Sequence, residues 1–224
     1  MILCLISLTP FYLGLRIDYC TIDHFNEHFQ FLEKRASMLG WDGSFGRFDN
    51  LLYSPIMELN FFGVENFSVS ICLSYFRDRA NGIFTYVAPA DTYRLSESWN
   101  YWQLPIDFKL NLDIGPMIFV SGFEFSSTKL TIDAQSNYEM NDNYPKFFDS
   151  YDIGLFAGFC KNFNAIQLQI LYNYTRIDQF HNKEGYLYYD ENVRYIYIGP
   201  ENHHNPSAVL NHSGLGISIL CKIL

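Results

Sequence analysis

Residues 101–112 read YWQLPIDFKLNL: Trp102, Leu104, Ile106, Phe108, Leu110 and Leu112 are apolar, with Gln103, Asp107, Lys109 and Asn111 between them. A period of two predicts a strand with one polar and one apolar face. Seven other segments repeat it. In 11–21, Phe11, Leu13, Leu15, Ile17 and Tyr19 alternate with Tyr12, Gly14, Arg16, Asp18 and Cys20. In 54–62, Met57, Leu59 and Phe61 oppose Glu58 and Asn60. In 67–76, Phe67, Val69, Ile71, Leu73 and Tyr75 oppose Ser68, Ser70, Cys72 and Ser74. Segment 116–126 is looser, with Met117, Phe119, Phe123 and Phe125 against Gly122 and Glu124. Segments 150–160, 165–177 and 212–224 complete the set, and no segment of comparable length shows a sustained helical period.

Three connections are short, around 63–66, 113–115 and 161–164, and carry the Gly, Asn and Asp that tight turns need. Four are long and polar, roughly 23–53, 77–100, 127–149 and 178–211. Long and short alternate strictly, so all long loops leave one end of an up-and-down meander. Eight such strands close into a barrel, which removes exposed edges. The predicted fold is all-β: an eight-stranded antiparallel transmembrane barrel with four long outer loops and short periplasmic turns. Residues 10–224 form this single domain, and 1–9 are an apolar lead-in or residual signal segment. Pro105 cannot donate to a ladder, which predicts a bulge or a water-satisfied carbonyl opposite it.

Alternation leaves open which face is outside. A soluble lipocalin-like barrel lines an apolar ligand cavity with its apolar faces, whereas a membrane barrel turns them to lipid. The polar faces here are rich in Gly and Ser and carry few, mixed charges: Arg16, Asp18, Glu58, Asp107, Lys109, Glu124, Asp152 and Lys222. That set suits a crowded, self-pairing lumen, since a water-facing surface normally carries more charge. Tyr12, Tyr75, Trp102, Tyr151, Tyr172 and Tyr174 stand near strand ends, as in interfacial girdles. Membrane placement in the cell outer membrane follows, with the lipid bilayer as the main partner. Charged residues are only 17% and mean hydropathy is -0.05, while the net charge of -9 argues against nucleic acid as a partner. The five cysteines lack C-x-x-C spacing, which points to apolar filler and away from a metal or redox site.

The run YWQLPIDFKLNL followed by GPMIFVSGFEFS resembles the paired strands of the PorT-like group, an outer-membrane β-barrel domain family of Bacteroidetes. DIGLFAGFCKNFNAIQLQILYNYTRI resembles its following hairpin, and SGLGISILCKIL its closing strand. The likeness covers about residues 50–224. It implies recognition by the barrel-assembly machinery, with envelope or export proteins as further partners. Leu224 stands where such barrels usually end in an aromatic residue.

Candidate chemistry is sparse, and no catalytic, cofactor or metal residues are assigned. His203 and His204, flanked by His181 and His212, lack the converging ligands a metal requires. The acidic stretch 139–152 reads as a solvated loop. Sequons at Asn66, Asn173 and Asn211 lie at or within strands. His24 and His28 are the only candidates for a lipid-modifying His–Ser pair at the outer interface. The lumen charges Arg16, Glu58, Asp107, Lys109 and Glu124 read as a paired interior, so the expected protein is not an enzyme.

Overall fold

The computed structural model describes residues 10–19, 22–137, 144–177, 180–199, 210–211 and 214–223. In chain order these form β1 (Phe11–Tyr19), helix α1 (Asp23–Met38), β2 (Asp42–Phe45), β3 (Leu51–Val64), β4 (Phe67–Ser74), β5 (Phe76–Val87), β6 (Thr92–Asp113) and β7 (Ile118–Ser136). Then come β8 (Lys146–Phe163), β9 (Ile166–Tyr174), β10 (Arg176–Ile177), β11 (His181–Asn182), β12 (Gly185–Asp190), β13 (Tyr195–Gly199), β14 (Leu210–Asn211) and β15 (Gly214–Lys222).

Antiparallel pairing runs β1–β3–β4–β6–β7–β8–β9–β15, and β15 returns to β1. The first and last strands thus close an eight-stranded barrel; Leu15, for instance, lies between Pro55 on β3 and Ile219 on β15. Tight turns follow β3, β6 and β8, as the sequence predicts. Asp113 caps the second, its carboxylate accepting from the Gly115 amide at 2.9 Å where Gly115 takes φ +98°. Asn164, at φ 55°, makes the third.

The barrel is far taller than expected. β6 is 22 residues long, about twice the roughly 9–11 tilted residues that cross a hydrocarbon core. Most of two predicted loops is strand. β5 and β6 pair up to Val87↔Thr92, and β7 pairs with β6 from Leu95↔Ser136 to Asp113↔Ile118 without a register shift.

A third predicted loop contains α1, which overturns the expectation that no segment of comparable length carries a sustained helical period. Phe25, Phe29, Leu32 and Ala36 fall on one face at i, i+4, i+7 and i+11 and pack into an apolar core. Phe29 stacks on Phe45 at 4.4 Å and meets Trp99 edge-on at 5.3 Å. Asp23 in the first turn and Arg35 in the last suit the helix dipole. Gly40, at φ +81°, turns the chain out of the helix into β2.

The upper sheet has two free edges, β2 and β13, and α1 covers both. Glu33 Oε1 accepts the Phe45 amide at 2.7 Å, and His28 Nδ1 accepts the Ile196 amide at 3.1 Å. Asn26 adds a reciprocal pair with the Phe48 backbone, at 3.2 and 3.0 Å. The helix substitutes for a missing stave and satisfies edge amides that would otherwise template pairing.

Pro105 produces no bulge. Leu73↔Ile106 and Phe76↔Gln103 keep one frame across it. The ladder to β6 lapses between Leu73 and Phe76; Ser74 still pairs with Ile56 on β3, while Pro55 on β3 and Pro105 on β6, which flank Ser74 and Tyr75, lack an N–H. The Tyr75 amide donates instead to Ser54 Oγ at 2.7 Å.

Candidate functional site

The defining feature is a reversal of polarity on both faces of the same strands. Along β6, Leu104, Ile106, Phe108, Leu110 and Leu112 point outward, while Gln103, Asp107 and Lys109 are buried inside. Above Trp102 the outward residues are Asn100, Ser98 and Ser96, and the buried ones are Tyr101 and Trp99. β7 does the same: Phe123 and Phe125 outward over Glu124 and Ser126 become Lys129 and Thr131 over Leu130 and Ile132. β4 and β5 reverse between Tyr75 and Phe76. The backbone continues and only the side-chain sign changes. What changes along such a strand is its surroundings.

Below the reversal the outer surface is a continuous apolar belt. It includes Leu15 at 66% and Ile153 at 71% exposure, beside Leu13, Ile17, Met57, Leu155, Ile217 and Ile219. Soluble proteins rarely show contiguous apolar patches beyond a few hundred Å². Tyr19, Tyr53, Tyr75, Trp102, Tyr151, Tyr172 and Tyr174 rim its upper part. Tyr12, expected among the rim, instead points inward and is buried. Just above, Lys129 lies over the Trp102 ring at 5.3 Å and within 3.7 Å of Asp149. A charged tip over an aromatic body is the arrangement of a polar–apolar boundary. The lipocalin-like alternative needs these apolar faces inside, and they are outside.

The interior of this lower tier is a closed charge network. Arg16 on β1 spans the lumen to Asp107 at 2.9 Å on β6 and Glu124 at 3.6 Å on β7, and also binds Asp18 at 2.8 Å. Lys109 donates to Glu58 at 2.8 Å and to Gln169 at 2.8 Å. Gln169 donates in turn to Glu58 and to Gln167. Arg16 is 2% exposed and Lys109 0%. Asp107 and Lys109, neighbours on one face, therefore have different partners across the lumen. Small residues make this crowding possible. At Gly122 a Cβ would collide with the Phe108 carbonyl and the Phe156 ring, so glycine there gives Phe156 its place inside. Cys72 and Cys160 are buried as predicted filler, whereas Cys221 lies exposed; Cys4 and Cys20 lie outside the described residues.

Above the reversal the interior is apolar, with Phe25, Phe29, Phe48, Phe76, Trp99, Leu130 and Phe148 in one cluster. The acidic stretch read as a solvated loop contributes to it. Its part from Lys146 onward belongs to β8, and Phe148 is fully buried; residues 139–143 lie outside the described residues.

The remaining candidates divide accordingly. His24 stacks on Tyr189 at 4.0 Å. His28 is buried with Nδ1 committed to a backbone amide, so it is an edge cap and has no serine partner among the described residues. His181 begins β11, opposite Tyr186 and Asp149. His203, His204 and His212 lie outside the described residues. Asn173 is buried on the lumen side of β9, and Asn66 sits in the turn between β3 and β4. Nothing in the sequence marked Glu33; its signal was a carboxylate on the helix face toward the β2 edge, where burial is outweighed by hydrogen bonds from Arg47 and the Phe45 amide, holding its pKa below the usual range.

Burial pushes the His28 pKa down to about 3 from an ordinary 6.5. At pH values above 6.5 both docked and free helix hold a neutral imidazole, and pH has no effect through this group. Below 6.5 the free state binds a proton that the docked state refuses. Docking of α1 therefore weakens by about 1.4 kcal/mol per pH unit, down to the folded value. Hydrogen exchange checks this: after correction for intrinsic rates, the Ile196 amide is protected at neutral pH and loses protection on acidification. Equal protection at both pH values would contradict the edge-cap role.

No family model matches the chain, and no curated protein does. Among solved structures, the crystal structure of Neisserial surface protein A aligns over 95% of this chain and 97% of that one, at 11% identity and a TM-score of 0.39. So distant a likeness carries no weight beside the barrel's own register and faces.

Proposed function

We propose that this chain is a non-enzymatic barrel of the outer membrane, seated by its apolar belt, with its turns periplasmic and its upper tier on the outer face. The observation that carries the reading is the simultaneous reversal of both strand faces at the Tyr75–Trp102 level. Hydrocarbon outside demands apolar residues there and polar ones in the lumen; water outside demands the opposite. Because the lumen charges are engaged with one another, the interior serves stability, and function resides in the upper tier. A tier with its own aromatic core and covered edges is a preformed recognition surface, which favours surface interaction among the roles open to such a barrel. Service to an export system rests on the PorT-like resemblance, and passage through the barrel-assembly machinery on the proposed location.

Cysteine labelling tests the orientation. Ala90→Cys, at the tip of the β5–β6 hairpin, reacts on intact cells with a membrane-impermeant maleimide, whereas Ile114→Cys, in the turn after β6, reacts only after lysis. The reverse pattern would overturn the orientation, and labelling of both on intact cells would overturn the membrane placement.

A further inference from the structure

A cavity of about 230 Å³ opens in the upper tier between α1, β6 and β13. Its walls include the rings of Trp99, Tyr195 and Tyr197 and the side chains of Leu32 and Ile198. Two polar groups line it with hydrogen-bonding capacity left over. His28, 3% exposed, accepts the Ile196 amide on Nδ1, so its ring proton sits on Nε2, for which no protein acceptor exists among the described residues. Glu97 accepts the Trp99 indole N–H on Oε1, and its second oxygen has no donor among the described residues. Glu97 is half-buried and both groups face the cavity, so a donor and an acceptor converge within one aromatic-walled cleft, the combination that small-ligand sites present.

We propose that the cavity binds a single neutral sugar ring, which donates a hydroxyl to Glu97, accepts from His28 Nε2–H and lays its C–H face on the aromatic wall. The size fits one ring: the volume is below the roughly 300–1,000 Å³ of a drug-sized site. The charges fit a neutral ligand. Lys146 lines the same cavity but is held by Glu184 at 3.3 Å, and Glu97 opposes any anion that Lys146 would attract. Burial raises the Glu97 pKa, which further disfavours a permanently charged carboxylate there and suits hydrogen bonding to hydroxyls. This site deepens the surface-recognition reading, and its test is independent of membrane orientation.

The purified full chain in detergent is titrated with glucose, galactose and N-acetylglucosamine, followed by indole fluorescence and saturation-transfer NMR. At least one sugar binds saturably, in the roughly millimolar range expected for a single ring. Glu97→Gln, which keeps the Trp99 hydrogen bond, weakens it about tenfold with Ile196 amide protection unchanged. No saturable binding by any of the three would overturn the proposal, and so would binding indifferent to Glu97→Gln. Saturable binding of free leucine, tried as a zwitterionic control, in place of the sugars would overturn it in favour of a charged ligand.

Discussion

Arg16→Met lowers the stability of the barrel by about 3–5 kcal/mol, the range for leaving buried charge without its partner. The expectation follows from the arrangement of the lumen. Among the described residues Arg16 is the cation that forms ion pairs with Asp18, Asp107 and Glu124, and it joins β1 to β6 and β7 across the interior. Methionine preserves much of the side-chain volume, so the loss reports charge and hydrogen bonding more than a void. Urea unfolding of the barrel refolded in lipid vesicles gives the value. Adding Asp107→Asn to Arg16→Met recovers part of it, because one stranded carboxylate has gone; two independent losses that simply add would contradict a shared network. Lys109→Met behaves similarly, since Glu58 then loses its cation.

Leu15→Lys costs about 2–4 kcal/mol, the penalty for a lysine on the lipid face near the midplane. Leu15 is the middle residue of the β1 belt, between Leu13 and Ile17, and is 66% exposed in the isolated chain. That exposure makes the substitution decisive. If water bathed the belt, a lysine at so open a position would be neutral to within about 0.5 kcal/mol and would improve solubility. If hydrocarbon bathes it, the same lysine is among the most damaging substitutions on the outer surface. Arg79→Lys, above the reversal, is the matched control and changes nothing measurable.

The lower tier was legible residue by residue. The period of two assigned Arg16, Glu58, Asp107, Lys109 and Glu124 to the lumen and the Leu104–Leu112 series to the outside, as found. The pairing of Arg16 with Asp107 and of Lys109 with Glu58 was not, because it depends on how eight strands stagger around the ring. The upper tier was missed for a different reason. Leu95, Trp99 and Tyr101 alternate with Arg94, Ser96, Ser98 and Asn100, broken by Glu97, and on the opposite parity from Trp102–Leu112. A change of phase looked like a strand end, when the strand runs on through it with the polarity of its two faces exchanged. The same reversal separates Phe76 from Tyr75 and Leu130 from Phe125. Helix α1 was hidden among polar residues; the spacing of Phe25, Phe29, Leu32 and Ala36 carried it, and its two edge-capping side chains His28 and Glu33 acquire meaning only once β2 and β13 are placed.

Alkali and detergent distinguish a belt bathed in lipid from one bathed in water. Membranes from cells expressing the chain are washed with alkaline carbonate, then extracted with detergent, and the extract is run on a gel heated and unheated. The protein stays in the pellet through the carbonate wash, enters solution only with detergent, and shifts in mobility on boiling as its closed barrel unfolds. Release into buffer without detergent would contradict the account.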